Sequence, residues 1–125
     1  MPSTLVSGSI TSASLVVDAD GIRTANTKPT TATAYKRGDL LIISASNVAT
    51  LATDPAVWNA IAALDVSSAQ ATTHAANSLE IPIYTQGAFD VNQIYLSGVL
   101  LADNQKDAAR AAAIKNRIEL RKVGG

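Results

Sequence analysis

The sequence predicts a small, mainly β domain with one helix in its C-terminal region, an α+β fold, carrying a flexible N-terminal arm. Three observations predict it. Leu79, Ile81, Ile83 and Thr85 alternate with Glu80, Pro82 and Tyr84, the period-2 pattern of a half-buried strand. Arg117-Ile118-Glu119-Leu120-Arg121 repeats that alternation with Ile118 and Leu120 inward. Between them, Asn104 to Lys115 is rich in strong helix formers and follows Asp103, a good N-cap. A chain of 125 residues makes one domain.

Taken in order, residues 1–34 are rich in Ser, Thr and Ala, with apolar islands at Leu5-Val6, Ile10 and Leu15-Val16-Val17. Such a segment buries too little apolar surface to offset its ordering entropy, so it reads as an arm that is flexible when free, and residues 35–125 as the folded domain. Asp18-Ala19-Asp20-Gly21 is a turn signal. It is no calcium loop, because Ile22, Arg23 and Thr24 stand where further oxygen ligands would be needed.

Leu40 to Ile43 is an unbroken apolar run of strand length, opened by Gly38-Asp39, and reads as a central strand. The next stretch supports two readings. Asp54-Pro55 resembles an N-cap followed by proline at the first helical position, with Val57, Trp58, Ile61 and Leu64 at helical spacing, which gives a helix over 55–64. Alternatively, Asp54-Pro55 is a turn and residues 60–66 form a buried strand. Residues 67–77 read as a polar loop.

The stretch from Leu79 then reads as a strand entering a turn closed by Gly87. Pro82 has no N–H to give, which places it on an edge, at a bulge or at an unpaired position. Asp90 caps a short turn whose Val91, Ile94 and Tyr95 share a face. On the helix, Lys106, Asp107 and Arg110 cluster on one side and alanines cover the rest, with Ile114 at the charged edge as a possible subunit contact. Asn116 stops the helix.

Composition narrows the function. Ten basic and ten acidic residues leave no global field toward nucleic acid or an anionic membrane. No stretch approaches the ~20 apolar residues that cross a bilayer, and Met1 to Gly8 lacks the basic and apolar regions of a secretory signal. No cysteine is available for disulfide or thiolate chemistry. His74, the single histidine, has no nearby carboxylate in sequence, and no phosphate-binding glycine loop occurs. The chain is therefore expected not to be an enzyme and to need no cofactor or metal. Aromatic content of 4% with abundant alanine predicts a thin core that leans on association.

The stretch from Ala60 to Val123 resembles, in order and spacing, the lambda-type bacteriophage head decoration proteins. The elements carrying this are Ile61 to Val66, Ile81 to Phe89 with its Tyr84-x-x-Gly87-x-Phe89 ending, Val91 to Leu96, the Asn104 to Lys115 helix and the Arg117 to Val123 strand. Leu96-Ser97-Gly98 stands where the family has Trp-Pro, and the first 34 residues do not align. The resemblance implies a homotrimer on the outer capsid surface of the virion, at three-fold or quasi-three-fold sites, assembled from the host cytoplasm. There it would bind the major capsid protein after expansion and cement the shell against internal DNA pressure, with no nucleic-acid or membrane partner.

The resemblance also favours the strand reading of 60–66. In it the arm adds a strand to a capsid-protein edge, with Leu5, Val6, Ile10 and Leu15 as anchors, or else these residues tether the arm to the domain's own sheet. Ile81 and Ile83 face either the subunit's own core or the trimer axis. Another phage head or tail component, or a secreted carbohydrate- or adhesin-type binding module, is the alternative; the second suits the Ser/Thr/Ala richness but lacks a signal, a cysteine pair and an aromatic ladder.

Overall fold

Most of the strand-forming stretches pair into one mixed sheet that closes on itself. The computed structural model describes residues 15–122. In chain order the elements are β1 (Val16–Pro29), β2 (Leu40–Ile43), β3 (Val48–Leu51), β4 (Ala60–Ala62), α1 (Ser68–Ala76), β5 (Ile81–Asp90), a 3-10 turn (Val91–Gln93), β6 (Tyr95–Leu96), β7 (Val99–Leu100), α2 (Asp103–Lys115) and β8 (Ile118–Arg121).

β1 pairs with β3 in parallel; β3 with β2, β2 with β4, β4 with β5 and β5 with β1 are antiparallel. These ladders form a ring of five strands, and closure leaves few edges to protect. β8 adds to β5 in parallel beyond the end of β4, from Gly87↔Ile118 to Asp90↔Arg121. Among the described residues it has no second neighbour in the sheet. β6 and β7 form a separate hairpin.

The unbroken apolar run of β2 has a direct cause. Leu40 and Ile42 pack in a cluster with Trp58, Ile61, Phe89, Ile94 and α2's Ala109 and Ala113. Leu41 and Ile43 pack in a second cluster with Ala49, Ala60, Ala62, Ile81, Ile83 and α1's Ala71. Both faces of β2 are covered, so neither position of the alternation can be polar. Alanines at 49, 60, 62 and 71 let backbones approach closely in the second cluster around Leu41, while the larger Phe89, Leu40 and Ile61 fill the first.

The structure corrects several expectations. The arm does not extend to residue 34: residues 16–29 are β1, paired with β5 over most of its length. Hydrogen bonding to a partner strand supplies what the polar composition of this segment hides. Among the described residues there are two helices rather than one, because residues 68–76, expected as loop, form α1 behind a reciprocal cap in which Ser67 Oγ accepts from the Gln70 N–H (3.1 Å) and Gln70 Oε1 accepts from the Ser67 N–H (2.9 Å).

Over 55–64 the turn reading holds. Asp54 Oδ1 accepts from the Ala56 N–H at 2.9 Å, and the buried strand is β4, shorter than expected, with Val66 bridging to Tyr35 instead. Finally, β5 does not turn at Gly87 but runs through it to Asp90. Pro82 lies opposite Asn26 of β1; on its other side the ladder to β4 has ended one residue earlier, at Ala62↔Ile83, so no bond is lost there.

The central strand β2, the Asp90-capped turn, the 103–115 helix and the terminal strand stand as expected. Asp103 is the first helical residue rather than the cap, and its carboxylate pairs with Lys106 at 2.9 Å. Among the described residues no helix is long and apolar enough to cross a membrane.

Candidate functional site

The Tyr84-x-x-Gly87-x-Phe89 motif builds the wall on which β8 rests. Phe89 is fully buried and its ring centre lies 5.0 Å from that of Tyr84 at a 46° tilt. The Tyr84 hydroxyl accepts from Arg37 Nη2 at 3.2 Å. Gly87 has a φ of +140°, and a Cβ there would collide with Ile22 Cδ1 and press on the Phe89 ring. Ile22 reaches that spot because β1 bulges. Between Asp18↔Ala88 and Arg23↔Gln86, β1 places four residues opposite the single Gly87 of β5. The Asp18 to Gly21 turn signal is this bulge, closed by Asp18 Oδ1 accepting from the Asp20 N–H at 3.0 Å.

On that wall sits a face that combines a strand edge covered by no other described strand with a strongly exposed apolar residue. α2 turns Ala109, Ala112 and Ala113 inward and leaves Ile114 78% exposed. Ile114, Ala111 and Arg110 line one side of a groove of about 450 Å³, and Ile118, Glu119 and Leu120 of β8 line the other. Beyond Ile114 a second hollow runs toward the β1 bulge, where Asp18 and Asp20 face Arg117 and Arg121. Arg110 Nε donates to the Leu120 carbonyl at 2.9 Å, placing a guanidinium on the outer edge of β8, a common guard against uncontrolled strand pairing.

The β6–β7 hairpin presents a second apolar feature, Val99 at 69% and Leu100 at 48% exposure. Its tip is pinned. Ser97 and Gly98 both have positive φ, Ser97 Oγ donates to the Ala52 carbonyl at 2.9 Å, and the Gly98 N–H donates to Asp39 Oδ1 at 2.9 Å. The buried Asp39 takes a second bond from the Lys36 N–H on Oδ2, at 2.7 Å. Burial pushes its carboxyl above the ordinary value, against the pull of those two N–H groups and of the Lys36 charge. Asp39 was legible only as a charge abutting an apolar run; its role as a staple between segments 59 residues apart had no local signal.

The residues singled out from sequence are dispersed. Leu15 is buried in the domain's own core, so it tethers the chain rather than reaching outward. Ile81 and Ile83 are 3% and 2% exposed in the second cluster and are closed to another subunit. Tyr84, Gly87 and Phe89 come together, and Ile114 stands clear of the core beside β8. Leu5, Val6 and Ile10 lie outside the described residues.

His74 sits in the last turn of α1 with Nδ1 2.8 Å from the Gln70 carbonyl oxygen. Among the described residues no three His, Asp or Glu side chains gather where they could hold a metal ion. No family model and no curated protein matches the chain in sequence.

Proposed function

We propose that the protein is a phage head decoration protein of the lambda type. It binds the outer surface of the expanded head as a homotrimer at three-fold or quasi-three-fold sites and stabilises the shell against internal DNA pressure. The observation that carries this reading is Ile114, a largely exposed isoleucine on α2 beside an edge of β8 that no other described strand covers. A monomer gains nothing from that exposure, whereas a subunit contact would bury it. The order of elements from β4 to β8 follows the order on which the family resemblance rests, which supports the same reading.

In this reading the partners are the major capsid protein and two further copies of the chain. Ile114 contributes to the subunit contact, and the N-terminal segment, with Leu5, Val6 and Ile10, adds a strand to an edge of the capsid protein through main-chain hydrogen bonds. The protein acts by contact alone, without catalysis, cofactor, nucleic acid or membrane, on the outside of the virion after assembly in the host cytoplasm.

Mixing the purified protein with expanded heads tests this. Co-sedimentation in a fixed ratio to the capsid protein, with greater resistance of the heads to heat, is the expected outcome. Heads that sediment without it under low-salt and physiological conditions alike would overturn the reading.

A further inference from the structure

The β6–β7 hairpin is a knob with two apolar faces. Successive side chains of a strand point to opposite faces, and Val99 and Leu100 are both exposed, so solvent reaches both sides of β7. Among the described residues this is the one place where two consecutive large apolar side chains are both exposed. The knob is also held in place. Besides the bonds of Ser97 and Gly98, the Tyr95 N–H donates to the Gly38 carbonyl at 3.0 Å and the Leu101 N–H to the Ile94 carbonyl at 3.1 Å. A partner that covered it would have little to order beyond the two side chains.

The groove between α2 and β8 has the complementary shape. Ile114 and Ala111 form one wall and Ile118 and Leu120 stand in the other, and its volume of about 450 Å³ lies within the ~300–1,000 Å³ of clefts that take a small organic ligand. A knob with two apolar faces fits between two walls, whereas a flat surface would leave one face wet. The chain cannot fill its own groove. Leu101 and Ala102 join the hairpin to the N-terminal end of α2 while Ile114 lies in its last turn, and the 13-residue helix holds the two about 20 Å apart at ~1.5 Å per residue. Charge runs the same way. Asp103, Lys106 and Asp107, net negative, fall in the half of α2 next to the hairpin, and Arg110 and Lys115 in the half that borders the groove. Glu119, beside the groove, is paired with Arg121. Head-to-tail approach of two copies therefore brings the acidic half of one helix to the basic half of the next.

We propose that Val99 and Leu100 of one copy dock between Ile114 and β8 of the next, so that each subunit gives its hairpin and receives its neighbour's. This rests on the trimeric reading above and supplies the partner of Ile114 in it. A three-fold ring is closed by contacts between two different surfaces, not by one surface meeting itself. The two most exposed large apolar side chains of the described residues, Ile114 and Val99, lie one on each of these surfaces.

Because the chain has no cysteine, single Leu100→Cys and Ala111→Cys variants report the contact by disulfide formation in oxidising buffer. Mixed, they should give a disulfide between the two variants that neither gives alone. A chain carrying both changes should give a covalent species that stops at three subunits on a non-reducing gel. It cannot close on itself, because two turns of α2, about 11 Å, separate the positions, beyond the ~7 Å reach of a disulfide between Cα atoms. Val99→Asp, at an exposed position, should keep the fold and raise the dissociation constant of the trimer about tenfold or more. Disulfides that form as readily within one variant as in the mixture would overturn the docking, as would a trimeric wild type whose mixed variants stay unlinked or whose dissociation constant Val99→Asp leaves unchanged; each of these leaves the trimer standing. A monomeric wild type would overturn both. A linked trimer that fails to sediment with expanded heads would uphold the docking and overturn the capsid reading alone.

Discussion

β2 and β8 are both four-residue strands, and nearly everything about them differs. β2 has a strand on each side and a packed cluster on each face, and it reads Leu-Leu-Ile-Ile. Among the described residues β8 has one strand beside it and one packed face, and it reads Ile-Glu-Leu-Arg, with Glu119 exposed and bound to Arg121 at 2.9 Å. An uninterrupted apolar run thus marks a strand with nothing left to offer a partner, and alternation marks one that still has a free face. Here the alternating strand also has an edge that no other described strand covers, and the exposed Ile114 stands next to it.

The comparison is most easily broken by stability measurements on the two strands. Leu41→Ala empties a fully buried position and should cost about 2–5 kcal/mol in urea denaturation. Glu119→Ala on the open face of β8 should stay within about 0.5 kcal/mol. Similar costs at both positions would mean that the closed ring is not the stable part of the molecule.

The wall between the two regions is probed at Gly87. Gly87→Ala forces a Cβ into Ile22 at a φ that side chains rarely adopt and should cost about 1–3 kcal/mol. Adding Ile22→Ala should recover the steric part but not the φ part, so the double variant should fall short of the stability of Ile22→Ala alone. Full additivity of the two changes would mean that Ile22 does not occupy the space above Gly87.

A smaller effect with a pH signature is expected at Asp39, which links the ring to the exposed hairpin. Asp39→Asn keeps one acceptor and loses the other, at about 1–3 kcal/mol. Because burial raises the folded carboxyl above its ordinary 3.8, the neutral form is the one the fold favours. That contribution is fully present below the ordinary value and is lost as pH rises through the folded one. The wild type's margin over Asp39→Asn should therefore widen as pH falls through that window, and a margin that narrowed would reverse the assigned cause.

Much of this architecture was legible where sequence pattern and tertiary role coincide: the run of β2, the alternation of β8, the Asp90 turn and α2. It was illegible where pairing replaces side-chain burial. β1 is polar because its residues 23–26 are exposed while their backbones are satisfied by β5, so composition imitated a loose arm. α1 was hidden by its small polar residues, although Ser67-x-x-Gln70 spells the reciprocal cap that starts it. Tyr84, Gly87 and Phe89 stood out, but as the support of the site. Arg110, which guards the edge, looked like one more charge on a helix face.

The most direct test of the assembly surface is the mass of the free protein by light scattering at micromolar concentration, for wild type and for Ile114→Arg. A trimer is expected for wild type and a folded monomer for the variant, with unchanged circular dichroism. A monomeric wild type, or a variant that remains trimeric, would contradict it.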